Sequence, residues 1–278
     1  MRLAMMVSLA HVSSSTASTR LPGPDGQPSR IFRQGDTVRR PAAPWTPAVH
    51  ALLRHLERVG FDGSPRVVGD GYDDQGREVV TFIEGTFVHP HAWSDQGIWQ
   101  AGRLLRGLHD ATAGFRPPPA AAWCPWPFRA DFDAPGTVVS HCDAGPWAFV
   151  ARDGLPFALI DWDTAGPTDR LDEIAATGWW NAQLHDDDVA ERTALPPAPA
   201  RAAQLRHFLD GYRLASAERE TLITRMIEYA IRDCAAEAVT AEVTPDYVGP
   251  AWALAWRARS AAWMIRHRNL LEHAIAGG

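Results

Sequence analysis

Residues 138–167, VVSHCDAGPWAFVARDGLPFALIDWDTAGP, constrain the fold of this chain more than any other stretch. Two apolar runs, AFVA and FALI, flank Asp153-Gly154. An Asp-Gly pair between such runs is a strong hairpin signal, because both central positions of the tight turn call for positive φ. A hairpin closed there is antiparallel and brings the residues before its first strand beside those after its second. Asp143 and Asp161 lie 18 positions apart in the chain, yet both fall at its open end. Two carboxylates at such a mouth suit a division of labour: one orients or deprotonates an attacking hydroxyl, the other holds magnesium against phosphates. Either aspartate alone is more often a turn residue. His141, Asp143, the hairpin and the Ile160-Asp161-Trp162-Asp163 exit together make a more specific signal.

The segments around this stretch supply a setting for it. SRIFRQGDTVRRP reads as two short strands about the turn Gln34-Gly35-Asp36. In WTPAVHALLRHLERVG, Val49, Leu52, Leu53 and Leu56 share one helical face, with Thr46 as N-cap, Pro47 at the first helical position and Gly60 as the stop. RVVGDGYDDQGREVVTFIEG then reads strand, Asp/Gly turn, strand, with a connector at Glu84-Gly85. A helix over 93–113 would bury Ile98, Ala101, Leu104, Leu105 and Leu108. Further helical patterns cover 171–184, 198–215, 217–239 and 248–275. These signals divide the chain into an irregular arm (1–28), a small β-rich lobe with one helix (29–84) and a helical lobe (85–278) that carries the hairpin.

Composition narrows the function classes. Of the 278 residues 46% are apolar and 22% charged, ordinary values for a chain with a sizeable core. A net charge of -6 without a basic face argues against nucleic acid as a partner. The helical segment nearest the end is broken by Arg257, Arg259 and Arg266, so no membrane span is expected. Three cysteines, Cys124, Cys142 and Cys234, have neither zinc spacing nor an even count. They point to a reducing, cytoplasmic setting. The opening MRLAMMVSLAHV has one Arg before a short apolar run, but no small-x-small cleavage site follows.

HCDAGPWAFV, ALIDWDTAGP and TVRRPAAPWTPAVHALLRHL resemble the aminoglycoside phosphotransferase family of small-molecule kinases over about residues 30–275. That family shares the protein-kinase fold with choline and homoserine kinases. The resemblance implies an α+β, protein-kinase-like, two-lobed fold and a small-molecule or peptide substrate. It implies ATP or GTP with Mg²⁺ as co-substrate. By the same likeness Asp143 is the catalytic base, His141 a structural member of its loop, and Asp161, helped by Asp163, the magnesium ligand. The backbone at Phe82 to Glu84 becomes the hinge that holds the base, and Arg39 or Arg40 takes the place of the lysine that grips phosphates.

The pattern is also broken. Ala148 stands where the family's loop has a metal-binding Asn, His50 stands where the lysine's Glu partner is usual, and Gly23-Pro24-Asp25-Gly26 is too proline-broken for a phosphate loop. Glu173, with Asp172 beside it, replaces the Asp that anchors the catalytic loop. Two functions are therefore expected. One is a phosphotransferase acting on a hydroxyl of an antibiotic or natural product. The other is a pseudokinase that binds a ligand as an accessory protein, or catalyses another reaction in secondary metabolism. Cys142 reads as a structural thiol, and the run His185-Asp186-Asp187-Asp188 as a solvated loop. Glu228, Asp233 and Glu237 read as polar-face residues. Trp179, Trp180, Trp252, Trp256 and Trp263 read as helix core, with one or two available to line an acceptor pocket.

Overall fold

The structure, a computed structural model, describes residues 18–22 and 28–276. It begins with an antiparallel sheet of β1 (Thr19–Pro22), β2 (Pro28–Gln34), β3 (Thr37–Pro41), β4 (Val67–Tyr72) and β5 (Arg77–Thr81), in the spatial order β1-β2-β3-β5-β4. Gly35, at φ 56, closes the β2–β3 turn at the expected place. Strand β1 corrects the expectation of an irregular arm, since Arg20 pairs with Phe32 across an edge ladder. A four-residue strand beside Pro and Gly is too short to show a period-2 pattern. The Gly23–Gly26 segment lies outside the described residues.

Helix α1 (Thr46–Arg58) buries Val49, Leu52, Leu53 and Leu56 as its spacing requires. Its N-cap is Trp45 rather than Thr46. The Thr46 hydroxyl instead accepts from the Ala43 N–H at 2.9 Å, one residue inside the helix. The larger, helical part starts with α2 (Asp95–Thr112), capped by Ser94, whose hydroxyl accepts from the Gly97 N–H at 3.0 Å.

Four short strands follow: β6 (Thr137–Ser140), β7 (Phe149–Arg152), β8 (Leu155–Leu159) and β9 (Gly166–Asp169). Strands β7 and β8 form the hairpin read from Asp153-Gly154, with φ values of 52 and 75 at the turn. A second ladder, β6 against β9 with Ser140 opposite Gly166, has no sequence signal of its own. It fastens the chain entering the hairpin to the chain leaving it.

Helices α3 (Arg170–Asn181), α4 (Asp187–Arg192), α5 (Ala198–Tyr212), α6 (Ser216–Arg219), α7 (Leu222–Thr240), α8 (Trp252–Arg266) and α9 (Arg268–Ala276) complete the described chain. Two patterns expected as single helices, 217–239 and 248–275, are each divided. The breaks fall at Glu220-Thr221 and at His267, where no Gly or Pro marks a stop. Helices α2 and α5 pack at van der Waals limits: a methyl group added to Gly102 would lie 2.1 Å from the Phe208 carbonyl oxygen, and one on Gly211 2.0 Å from that of Trp99.

The acidic run expected as a solvated loop is instead tied down. Asp186 accepts from Arg259 and Arg266, Asp187 accepts from the Trp263 indole, and Asp188 pairs with Arg259. Asp233 is buried against Arg257, another departure from a simple polar face. All three cysteines are free. Among the described residues no helix is long and apolar enough to cross a membrane.

Candidate active site

Residues 141–148 run from β6 into the hairpin, and three ties set their shape. Glu173, at the start of α3, accepts from the Ser140 hydroxyl and from the Cys142 N–H, each at 3.0 Å. It therefore anchors the loop, while Asp172 turns away to Arg225 and Arg232. Behind it the Tyr212 hydroxyl, His109, Ser140 and Glu173 form one buried chain of hydrogen bonds. Cys142 occupies the left-handed region at φ 62 with its thiol buried and raised out of the reactive range by that burial. This fits the structural reading of Cys142.

Burial pushes the Glu173 carboxyl up to about 7, against the opposing hydrogen bonds from Cys142 and Ser140. The folded chain then holds a proton between about 4.5 and about 7 that the unfolded chain has released, so stability falls as pH rises through that window. The difference corresponds to ~3 kcal/mol. Glu173→Gln keeps the accepting oxygen and removes the titration. Urea unfolding at stepped pH is expected to show the variant gaining on the parent from pH 4.5 to 7; parallel curves would refute the assignment.

His141 is the second tie. Its Nε2 donates to the Ile160 carbonyl at 2.8 Å and its Nδ1 accepts from the Asp143 N–H at 3.3 Å. One imidazole thus links the backbone beside Asp161 to the backbone of Asp143. Burial lowers its pKa to about 4, so it positions the loop as a neutral ring rather than exchanging protons. The third tie is Trp147, a residue the sequence reading passed over. Its indole N–H donates to Asp143 Oδ1 at 3.2 Å. The ring folds back over Gly145, where a methyl group would meet it at 2.2 Å, so the Gly-Pro-Trp order is what lets the indole reach the carboxylate.

The hairpin leads out to Asp161, held in the left-handed region at φ 64, ψ 65. Asp tolerates this conformation better than most residues, and such strain gathers at functional sites. Its carboxylate and that of Asp163 converge on one cation. Arg40 Nη1 lies 3.1 Å from Asp161 Oδ1 and 2.9 Å from Asp163 Oδ2, and Nε pairs with Glu78. Burial disfavours the Arg40 charge, but Glu78, Asp163 and Asp161 outweigh it and hold the guanidinium protonated.

Of the two candidate arginines, then, Arg40 reaches the carboxylates. Arg39 alternates to the other face of β3, 3.9 Å from Asp73. The expected partner of the strand cation also changes. His50 does not meet Arg40; it bonds Glu78 at 3.0 Å, and Glu78, directly opposite Arg40 in the β3–β5 register, meets Arg40 itself. Glu78 was missed because cross-strand partners lie 38 positions apart in the chain and become legible only once the register is known.

At the expected hinge, the Phe82 N–H already donates to the Asp36 carbonyl at 2.7 Å. Arg33 stacks on the Phe82 ring at 3.8 Å and pairs with exposed Glu84 at 3.1 Å. Ala148 is buried, presents no oxygen, and has its backbone bonded to Gly145 and Ile160.

No protein-family model matches the chain. It is 47% identical over 253 residues to the trifolitoxin immunity protein of Rhizobium leguminosarum bv. trifolii, spanning 90% of this chain and 97% of that protein. Among solved structures, amicoumacin kinase in complex with AMP-PNP, Ca²⁺ and Ami matches with a TM-score of 0.60 at 15% identity, over 92% of this chain and 88% of that one. A choline/ethanolamine kinase family protein from Mesorhizobium loti matches at 0.55 and 19%, over 95% and 94%. Aminoglycoside 2'-phosphotransferase-IIIa matches at 0.51 and 12%, over 95% and 94%. The chain belongs to the family of the trifolitoxin immunity protein and carries the two-lobed α+β kinase fold of the aminoglycoside phosphotransferases and choline/ethanolamine kinases.

Proposed function

We propose that this protein is a phosphotransferase that uses ATP or GTP with Mg²⁺ to phosphorylate a hydroxyl of a small acceptor, working in the cytoplasm. We further propose that the reaction protects a cell from a toxin, because the curated relative is an immunity protein and a phosphate on a toxin's hydroxyl is one way to disarm it. The observation that carries the reading is His141, which joins the backbone of Asp143 to that of Ile160, next to the Asp161 and Asp163 carboxylates that share Arg40.

The donor set fits one divalent ion. Asp161 and Asp163 already aim their oxygens at a shared cation, and magnesium commonly takes one or two carboxylates plus phosphate oxygens. Ala148 supplies no ligand for a second ion. When bound, Mg²⁺ would offset charge on the phosphates. Asp143, oriented by Trp147, accepts a hydrogen bond from the acceptor hydroxyl and takes its proton as that oxygen bonds to the γ-phosphorus and the bond to the departing nucleoside diphosphate breaks. Arg40 turns its planar fork from the carboxylates to phosphate oxygens. The backbone at Phe82 to Glu84 borders the base; Phe82 offers its carbonyl there, its N–H being engaged.

The second reading, a kinase-fold binding protein without transfer, draws on the buried Ala148 and on Arg40 sitting between the metal carboxylates. Thermal unfolding with ATP or GTP, with and without Mg²⁺, separates the readings. A nucleotide at 100 times its Kd is expected to add about 2.7 kcal/mol. No stabilisation by either nucleotide would remove the phosphotransferase. Stabilisation without release of nucleoside diphosphate would favour the binding protein.

A further inference from the structure

Asp161 and Asp163 sit on one short turn, and the chain on both sides of that turn must be held if their carboxylates are to keep a fixed place relative to the Asp143 loop. His141 holds the leading side, through the Ile160 carbonyl. The trailing side is held by a residue outside the motif. Arg129 Nη2 donates to the Thr164 carbonyl at 2.6 Å and to the Ala165 carbonyl at 3.2 Å. Its Nη1 donates to the Cys142 sulfur at 3.4 Å, in the loop that carries Asp143, and its Nε to the Cys124 carbonyl at 3.1 Å. One planar fork thus joins three separate segments. The Thr164 hydroxyl adds a further link by donating to the His141 carbonyl at 3.3 Å.

The guanidinium is fitted to this place. Its own segment is fixed, since Arg129 faces Thr168 in a β-bridge and the Ala130 N–H donates to the Pro167 carbonyl at 3.2 Å. The fork passes over bare backbone at Gly166, where an added methyl group would lie 2.5 Å from Nη1. Its partners are three carbonyl oxygens and one sulfur, spread around the plane of the guanidinium. A lysine carries a single nitrogen on a flexible stem and cannot span them. The turn it borders needs such support. Asp161 occupies the left-handed region, and a non-glycine residue stays there only where the surroundings over-determine it.

Resting on the phosphotransferase reading, we infer that Arg129 is a positioning residue of the reaction: it latches the trailing side of the Asp161–Asp163 turn to the Asp143 loop, and so fixes the carboxylates that would hold Mg²⁺ relative to the group that takes the proton. It acts through the backbone of residues 164 and 165 and through the Cys142 thiol, not by contact with substrate.

The test compares the full-length parent with Arg129→Met and the milder Arg129→Lys, which keep most of the stem and remove the fork. Crystal structures without nucleotide are expected to show the Asp161 and Asp163 carboxylates displaced from their parental places, relative to Asp143, by roughly 1 Å or more. Such a misplacement is large enough to cost about 10²-fold in rate. Nucleoside diphosphate release is expected to fall about 10- to 100-fold in both variants, and half-maximal turnover to need about tenfold more Mg²⁺, as when a residue that orients metal ligands is lost. A role in stability alone would lower the folded fraction and leave the Mg²⁺ requirement unchanged. Three results overturn the assignment: carboxylates in their parental places in both variants, an unchanged Mg²⁺ requirement in an active variant, or full parental turnover in Arg129→Lys, which would mean that charge suffices without the fork. The two readings fail separately. A parent that releases no nucleoside diphosphate removes the phosphotransferase, and the displacement then decides the latch by itself; an active parent whose variants keep their carboxylates in place removes the latch alone.

Discussion

Asp143→Asn is expected to lower turnover by about 10²- to 10⁴-fold, the usual contribution of a positioned general base, and to leave nucleotide affinity within about twofold of the parent. The substitution is nearly isosteric. An asparagine carbonyl can still accept the Trp147 N–H now received by Asp143 Oδ1, and the backbone N–H of residue 143 can still donate to His141. The loop therefore keeps its shape, and what is lost is the carboxylate that receives the hydroxyl proton. The proposed nucleotide contacts sit on Arg40, Asp161 and Asp163, which are joined to one another through the Arg40 guanidinium. Nucleoside diphosphate release, with water as acceptor if need be, gives the rate, and calorimetry gives the affinity. Turnover equal to the parent would remove Asp143 from the mechanism, and a large loss of affinity would mean that the charge serves binding.

The fold was legible where a local rule acts alone. Asp153-Gly154 specified the hairpin because its turn demands two positive φ values, and both are present. The apolar stripe of α1 specified a helix, because Val49, Leu52, Leu53 and Leu56 repeat at helical spacing. What stayed hidden depends on non-local geometry. The β6–β9 ladder is set by closure of the hairpin's open end rather than by its own four-residue strands. Glu78 is an ordinary strand residue until β5 is placed beside β3 in register.

The candidate site divides the same way. His141, Asp143, Asp161 and Asp163 were readable as a motif, and so was the gap at Ala148. The choice of Arg40 over Arg39 was not, because a one-residue shift in register would exchange their faces. Trp147 was also passed over as a partner for Asp143. Its role follows from a ring folding back over Gly145, and that contact leaves no periodic trace in the sequence. The acidic run at 186–188 looked solvated because its arginine partners lie more than 70 positions further on.

Arg40→Ala is expected to cost about 3–5 kcal/mol, as breaking a buried ion pair from one side does. That corresponds to a fall in Tm of roughly 6 to 20 °C for a chain of this size. Most of the cost falls on Glu78. Its side chain is 1% exposed and would keep only His50 as a partner. Asp161 contributes less, because its side chain is 42% exposed and water screens it. Removing the guanidinium also leaves Asp161 and Asp163 facing one another without the cation they share, which is the arrangement a divalent ion relieves. Millimolar Mg²⁺ without nucleotide should therefore raise the Tm of the variant more than that of the parent, in which Arg40 already occupies the carboxylates. The same variant should lose nucleotide affinity, since the fork that would meet the phosphates is gone. A Tm within about 2 °C of the parent would mean that the pair with Glu78 is not a buried tie. An equal Mg²⁺ response in both proteins would mean that arginine and metal do not share these oxygens.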